Sequence, residues 1–409
     1  MTPQGLRPFD SGRDSAGESV PASPDRALGV YVHWPYCARI CPYCDFNVLR
    51  ARGRDLEADA LALAIVADME GQAALTGPRE LVSVFFGGGT PSLMRPDQTA
   101  MILAAARRLW RPAADLEVTL EANPTDAEAQ RYVDFAGAGV NRLSLGLQAL
   151  DDAALKFLGR DHDTAEGLRA ANVALEAFPR VSLDLIYARP GQTPEDWALE
   201  LRAAARLGAE HISPYQLTIE PGTAFDRAVA RGVFSTPAED PAADLYEATQ
   251  AVLEAEGFAA YEVSNHARTE AARARHNLAG WRGLDYVGAG PGAHGRLTLD
   301  GARVATRAAA RPADYIRRVD ATGVGFVERD VLSAVEAAEE RLLMGLRIIE
   351  GVAFADVAAL GLTPPNVRDL VAAGLVVDDP VRLRATPAGR RVLNALTTHL
   401  ATAVAASAA

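Results

Sequence analysis

Between residues 28 and 217, short apolar, β-branched runs alternate with longer amphipathic stretches. The runs at 28–33, 81–86, 116–121, 142–146, 181–186 and 211–217 read as strands. The stretches at 56–75, 97–109, 126–138, 165–178 and 194–207 read as helices. Repeated alternation of this kind needs right-handed crossovers and builds a parallel sheet. Six units are too few for the usual closed eight-stranded barrel. The expected fold is therefore α/β: an open, partial (β/α) barrel of about six strands, spanning residues 27–235.

Each of these strands ends in chemically marked residues. In such folds chemistry gathers at the C-terminal ends of strands, where the βα loops lie. A cysteine run follows the first strand, and Gly87-Gly88-Gly89-Thr90-Pro91 follows the second. Glu121-Ala-Asn123-Pro124 closes the third and Gly146-Leu-Gln148 the fourth. Asp184 lies in the fifth strand, and Tyr215-Gln216 in the sixth. These groups should face one mouth.

The cysteine run contains every cysteine of the chain: Cys37, Cys41 and Cys44, spaced C-x3-C-x2-C. Three thiolates can hold three corners of a [4Fe–4S] cluster and leave one iron open to another ligand, whereas most electron carriers use four cysteines. An odd, tightly grouped set argues against a disulfide framework. A structural zinc site would need a fourth ligand, for which His33 is the nearby histidine. The cluster is the reading favoured here.

Composition narrows the rest. Of 409 residues, 49% are apolar, enough for a sizeable core. The net charge of −12, from 41 basic and 53 acidic side chains, gives no support to nucleic-acid binding as the main task. No apolar run reaches bilayer-spanning length. The expected setting is cytoplasmic and reducing. Residues 1–26 are rich in Gly, Ser, Pro, Asp and Arg and read as a disordered tail. Residues 236–330 read as a connecting α/β segment carrying the Gly-rich loop Gly288-Ala-Gly290-Pro-Gly292-Ala-His294-Gly295. Residues 331–409 read as a C-terminal winged-helix-like domain, with helix, hairpin and helix at 366–373, 374–387 and 388–400. The acidic balance favours a packing role for it over DNA reading.

The glycines at 87–89 let a backbone approach a ligand closely. No lysine follows them as a phosphate loop requires, and they do not spell a dinucleotide fingerprint. They read as a cradle for a zwitterion, or as a tight turn. Glu121 and Asp184 would be partly buried carboxylates that suit an amino group or ribose hydroxyls, or form structural ion pairs. Arg160 either meets a carboxylate bidentately or stands in solvent. His276, Asn277 and Trp281 could serve a haem, since histidine is a frequent ligand of haem iron, or could simply be packing residues.

At this point the motifs resemble a known family. The run from Tyr31-Val-His-Trp-Pro-Tyr-Cys37 to Cys44-Asp-Phe-Asn47 is similar to the cluster motif of radical S-adenosylmethionine (SAM) enzymes. More narrowly it resembles the oxygen-independent coproporphyrinogen III oxidase group and its haem-chaperone relatives, the HemW proteins. The likeness runs from about residue 28 to the C-terminus. It includes Gly87-Gly-Gly-Thr-Pro-Ser92, Asn141-Arg-Leu-Ser-Leu-Gly-Leu-Gln148, Leu158-Gly-Arg-Asp-His162, Pro190-Gly-Gln-Thr193 and Tyr261-Glu-Val-Ser-Asn265.

The resemblance implies a [4Fe–4S] cluster on the three cysteines, with SAM chelating the open iron. Reduction of the cluster would cleave SAM to methionine and a 5′-deoxyadenosyl radical; the cofactors carry this chemistry and the protein orients and shields them. Tyr31, Tyr43, Gly88, Gly89, Thr90, Glu121, Gln148, Arg160 and Asp184 would line the SAM pocket. Within the group, oxidases resemble C-x3-C-x2-C-x-C, whereas this chain has Asp45 and Phe46 after the triad. Cys41-Pro-Tyr-Cys-Asp-Phe-Asn47 follows the chaperone pattern in full. Haem thus joins the expected ligands, and haem-accepting respiratory proteins, an electron donor and a second copy of the chain join the expected partners. Contact with a membrane would be peripheral, through the acceptors. Two positions depart from the group: Gly280 stands where a tyrosine is expected in H-N-x-x-Y-W, and Ala188-Arg189 where Gly-Leu is usual. The competing readings are a porphyrinogen oxidase or another radical-SAM catalyst, and, more remotely, a nucleic-acid-binding regulator acting through the C-terminal wing.

Overall fold

The computed structural model describes residues 27–407; the expected disordered tail lies outside them. The six expected strands all form: β1 (Ala27–Trp34), β2 (Glu80–Gly88), β3 (Arg111–Ala122), β4 (Arg142–Gln148), β5 (Val181–Tyr187) and β6 (His211–Gln216). They pair side by side and all parallel, each beside the next in sequence. Crossover helices include α1 (Asp55–Thr76), α2 (Pro96–Leu109), α3 (Thr164–Ala177) and α4 (Pro194–Ala205). Asp163 and Thr193 cap α3 and α4 by accepting from the Glu166 and Asp196 amides. The helix expected over 126–138 breaks into Asp126–Ala129 and Tyr132–Gly137.

The sheet does not stop at six strands. It has twelve, extended at both edges by β7 (Ala259–Glu262), β8 (Asn265–Ala267), β9 (Asp285–Ala289), β10 (His294–Leu299), β11 (Ala302–Ala308) and β12 (Phe326–Val331). The order is β12-β11-β10-β9-β1-β2-β3-β4-β5-β6-β8-β7. Much of the connecting segment is therefore sheet. Its glycines reflect crowding as well as turns: a Cβ on Gly288 would meet the His294 carbonyl oxygen at 2.0 Å. Helix α1 pins this extension to the barrel. Buried Asp68 accepts from the Tyr315 hydroxyl at 2.6 Å and the Gly325 amide at 2.9 Å, and Gln72 donates to the Gly288 carbonyl at 2.9 Å.

Strands of an all-parallel sheet are normally apolar on both faces. Here the outward positions follow that rule, with Val84, Val118, Leu120, Leu143, Leu145 and Leu183 fully buried. The inward positions break it, carrying Ser83, Glu117, Glu121, Arg142, Asp184 and His211. A polar barrel interior is costly unless its groups are paired or meet a ligand.

Beyond β12 the chain forms α+β structure with its own apolar core, centred on Leu342, Val352, Val357 and Leu383. Short strands Val352–Ala353 and Arg382–Leu383 pair antiparallel, and Val376 bridges to Ala385. Helix Ala334–Gly345 precedes them and Leu393–Ser407 follows, a winged-helix-like arrangement. No helix among the described residues is long and apolar enough to cross a membrane.

Candidate functional site

The cysteines begin where β1 ends. Cys37 closes a two-residue strand, Tyr36–Cys37, that pairs with Leu49–Arg50. Cys41 and Cys44 sit on the loop between them, closed by a 3.2 Å bond from the Cys44 amide to the Cys41 carbonyl. All three are free thiols lining one cavity of about 710 Å³ at the strand ends. Burial pushes the Cys37 thiol up to about 11. His33 is not a fourth ligand, because both ring nitrogens are engaged, with the Tyr31 hydroxyl at 3.0 Å and the Asn47 carbonyl at 2.9 Å. Among the described residues no histidine, cysteine or carboxylate set forms a single-ion metal site. Three thiols without a fourth donor fit a cluster with one open iron rather than zinc.

The same cavity is lined by Tyr31, Tyr43, Gly88, Gly89, Thr90, Glu121, Gln148, Arg160 and Asp184. Residues far apart in sequence, from Tyr31 to Asp184, are thus brought to one mouth by five successive parallel strands. Arg160 is not a solvated surface group. Its guanidinium lies 3.3 Å from the Cys41 sulfur, and donates to Asn123 Oδ1 at 2.5 Å and to the Gly146 carbonyl at 3.2 Å. Asn123 in turn donates to Thr90 Oγ1 at 3.2 Å, joining the third strand end to the second. Gln148 takes a left-handed φ of 65°, a strained conformation for a non-glycine residue at the cavity wall.

Among the described residues neither Glu121 nor Asp184 forms an ion pair. Glu121 accepts from the Gly88 amide at 3.2 Å. Burial, reinforced by the nearby Asp184 charge, raises its carboxyl to about 8. Asp184 accepts from Ser144 at 2.8 Å and Ser182 at 3.1 Å, and burial raises it as well. Arg142 lines the same cavity and only partly offsets the effect of burial on both carboxyls, so the pair suits a ligand that supplies an amino group or hydroxyls. The glycines have a second job: a Cβ on Gly88, at φ 109°, would strike the His33 ring at 2.6 Å, and one on Gly89 would strike the Pro35 carbonyl carbon at 2.8 Å. They let β2 close against the cysteine segment.

A second cavity, of about 730 Å³, opens beside the first on the open side of the barrel. The two share Tyr31, Asp45, Phe46, Tyr215, His276 and Asn277. Helix α5 (Arg275–Trp281) contributes His276, Asn277, Gly280 and Trp281; helix α6 (Ala334–Gly345) contributes Glu340 and Met344. The amides of Arg275 and His276 donate to buried Glu117, which fixes the start of α5. The His276 ring stacks on Phe85 at 4.8 Å, and its Nδ1 lies 3.3 Å from Ser83 Oγ. Burial lowers it to about 4, so it is a neutral imidazole. A Cβ on Gly280 would meet nothing within 4 Å, so the expected tyrosine's absence leaves open space.

Several residues that shape both cavities escaped the sequence reading. Asn47 donates to the Pro291 and Ala310 carbonyls at 2.9 and 2.8 Å, tying the cluster loop to the Gly-rich turn. The Tyr261–Asn265 motif braces the barrel from beside: His211 bonds Ser182 and the Tyr261 hydroxyl, each at 2.7 Å. Polar residues alternating within strands were the available signal.

Comparison with known proteins agrees with this geometry. Residues 31–203 match the radical SAM superfamily, and residues 332–392 match the HemN C-terminal domain. The solved coproporphyrinogen III oxidase (HemN) of Escherichia coli superposes with a TM-score of 0.76 over 93% of this chain and 91% of its own, at 23% identity. That likeness shows the fold. The chain belongs to the radical SAM superfamily, and its cofactors are a [4Fe–4S] cluster and SAM.

Sequence relatives place it further. It is 35% identical over 381 residues to the heme chaperone HemW of Escherichia coli, covering 90% of this chain and 97% of that one. It is 43% identical over 354 residues to the bovine mitochondrial radical S-adenosyl methionine domain-containing protein 1, covering 85% and 79%. Within the superfamily the chain belongs to the HemW family. The residues present fit the cofactors. Cys37, Cys41 and Cys44 would hold the cluster, and the carboxyls and Arg160 stand where polar ends of SAM could be held. When bound, the pair supplies one-electron cleavage of SAM. The chain's own part is to bind, orient and shield.

Proposed function

We propose that this protein is a haem chaperone that holds haem in the second cavity, beside its cluster and SAM, and passes it to haem-accepting respiratory proteins. One observation carries the reading: a second cavity large enough for a macrocycle abuts the SAM cavity through six shared residues. Its wall offers the flat faces of Trp281, Tyr286 and Phe46, with Arg296, Arg303 and Arg347 for carboxylates. The names of the HemW relatives agree with it. Nine SAM-lining residues and three cysteines are assigned here as expected from sequence; His276, Asn277 and Trp281 are assigned to the haem cavity. A separate donor supplies the electron for the cluster. A reducing compartment suits three free thiols.

The test is anaerobic reconstitution of the cluster, then parallel assays for haem binding and for coproporphyrinogen III turnover. Stoichiometric haem uptake without turnover supports the chaperone. Robust anaerobic conversion of coproporphyrinogen III would overturn it in favour of an oxidase.

A further inference from the structure

The second cavity holds three histidines, His33, His276 and His294, and they are not equivalent. A histidine that takes haem iron must present a free ring nitrogen to an open face, because the macrocycle lies across that nitrogen. His33 fails this requirement. It is buried, and Tyr31 and Asn47 engage both of its nitrogens. His276 meets it poorly. Its ring is enclosed between Phe85, at 4.8 Å, and Tyr31, at 6.1 Å, and is held by Ser83. His294 differs on each count. It is exposed at the start of β10, and neither ring nitrogen makes a hydrogen bond among the described residues.

The strand carries a second argument. Side chains two apart on a strand share a face. His294 and Arg296 are therefore neighbours on one face, and the register sets Tyr286 opposite Arg296. Arg296 and Arg303 both reach the carboxylate of Glu340, at 2.5 and 3.7 Å. Arg303 also pairs with Asp285 at 2.6 Å and Arg347 with Glu262 at 2.5 Å, so three guanidiniums on the cavity wall are held in place by carboxylates. A histidine, an aromatic ring and positioned guanidiniums on adjoining strands match a ligand with a metal centre, a flat apolar body and peripheral carboxylates. Gly280 leaves room on the wall it shares with Trp281.

We infer that His294 is the residue through which this cavity coordinates the iron of haem, an assignment that rests on the cavity being the haem site. The bond formed is dative, from a neutral ring nitrogen to iron, and displaces a weaker ligand such as water; no electron moves. His276 then shapes the floor of the cavity without binding the metal.

The experiment titrates the full-length, cluster-reconstituted protein with ferric haem, following affinity, the haem absorption spectrum and electron paramagnetic resonance. His294→Ala should lose about tenfold or more in affinity and the histidine-ligated signature. His294→Tyr should restore binding with a phenolate-ligated signature, which a merely structural role for His294 would not produce. His276→Ala should weaken binding while keeping the wild-type coordination signature. Cluster content and melting temperature confirm that each variant folds. A His294→Ala protein with wild-type spectrum and affinity overturns the assignment while leaving the haem cavity standing. Failure of the wild-type protein to take up haem overturns both.

Discussion

The two cavities lie side by side yet are built in different ways. The first is a product of local repetition. Most of its residues sit at successive strand ends or in the βα turns that follow them. The second is assembled from distant pieces. Gly29 and Tyr31 come from β1, Tyr215 from β6, Asn265 from β8, His294 from β10 and Met344 from α6. The first is built mainly by the barrel, with His276 and Asn277 of α5 on one side, whereas the second exists only when both sheet extensions and the C-terminal unit are in place. A barrel of this kind can thus keep one reaction centre and acquire a neighbouring site by what is added to its open side.

The largest expected effect separates the cavities outright. Replacing Cys37, Cys41 and Cys44 together by alanine should abolish iron and sulfide uptake, with SAM affinity falling about a hundredfold or more. Haem binding should survive within about threefold, since the second cavity contains none of the three sulfurs. Loss of haem binding in that variant would show that the two cavities are one cooperative site.

A smaller effect tests the polar interior of the first cavity. The Glu121 carboxyl is raised from an ordinary value near 4.5 to about 8 by burial and by Asp184. Between those values the folded protein binds a proton that the unfolded chain has released. Stability of the SAM-free protein should therefore fall as pH rises from about 5 to 8. Glu121→Gln should remove a few kcal/mol of that fall at most. Melting temperatures across this pH range measure it; identical slopes for both proteins would mean that Glu121 titrates normally.

The smallest effect concerns the barrel mouth. Ala188 adopts φ 60° and is almost wholly buried, in the position where the family's glycine is usual. Arg189 beside it is held by Glu200 and the Gln192 side chain. Ala188→Gly should relieve left-handed strain and stabilise by about 0.5 kcal/mol, after the extra chain entropy of glycine is subtracted. Denaturant midpoints at constant slope read this out. A destabilised variant would show that the turn is already relaxed.

Legibility followed the same division. The six strands, most crossover helices and the marked groups at strand ends could be read because parallel crossovers are short-range and strand ends announce themselves, whereas Tyr31 and Tyr43 came only from the family resemblance. Arg160 was ambiguous, since its burial depends on Cys41, Asn123 and the Gly146 carbonyl, which sequence distance hides. Asn47 was legible only as part of a motif, not as the clamp on Pro291 and Ala310. The strands β9 and β10 were missed because Gly288 and Gly295 look like loop signals when they in fact allow backbones to pass closely.

By itself the sequence determined a parallel α/β barrel, a three-thiolate cluster motif and a mouth of glycines, carboxyls and an arginine, because period and spacing encode local geometry. Only the tertiary structure decided that the sheet runs to twelve strands and that its open side holds a second cavity. It also decided which of three histidines has a free ring. Those outcomes rest on contacts between segments more than two hundred residues apart, where no local pattern carries the information.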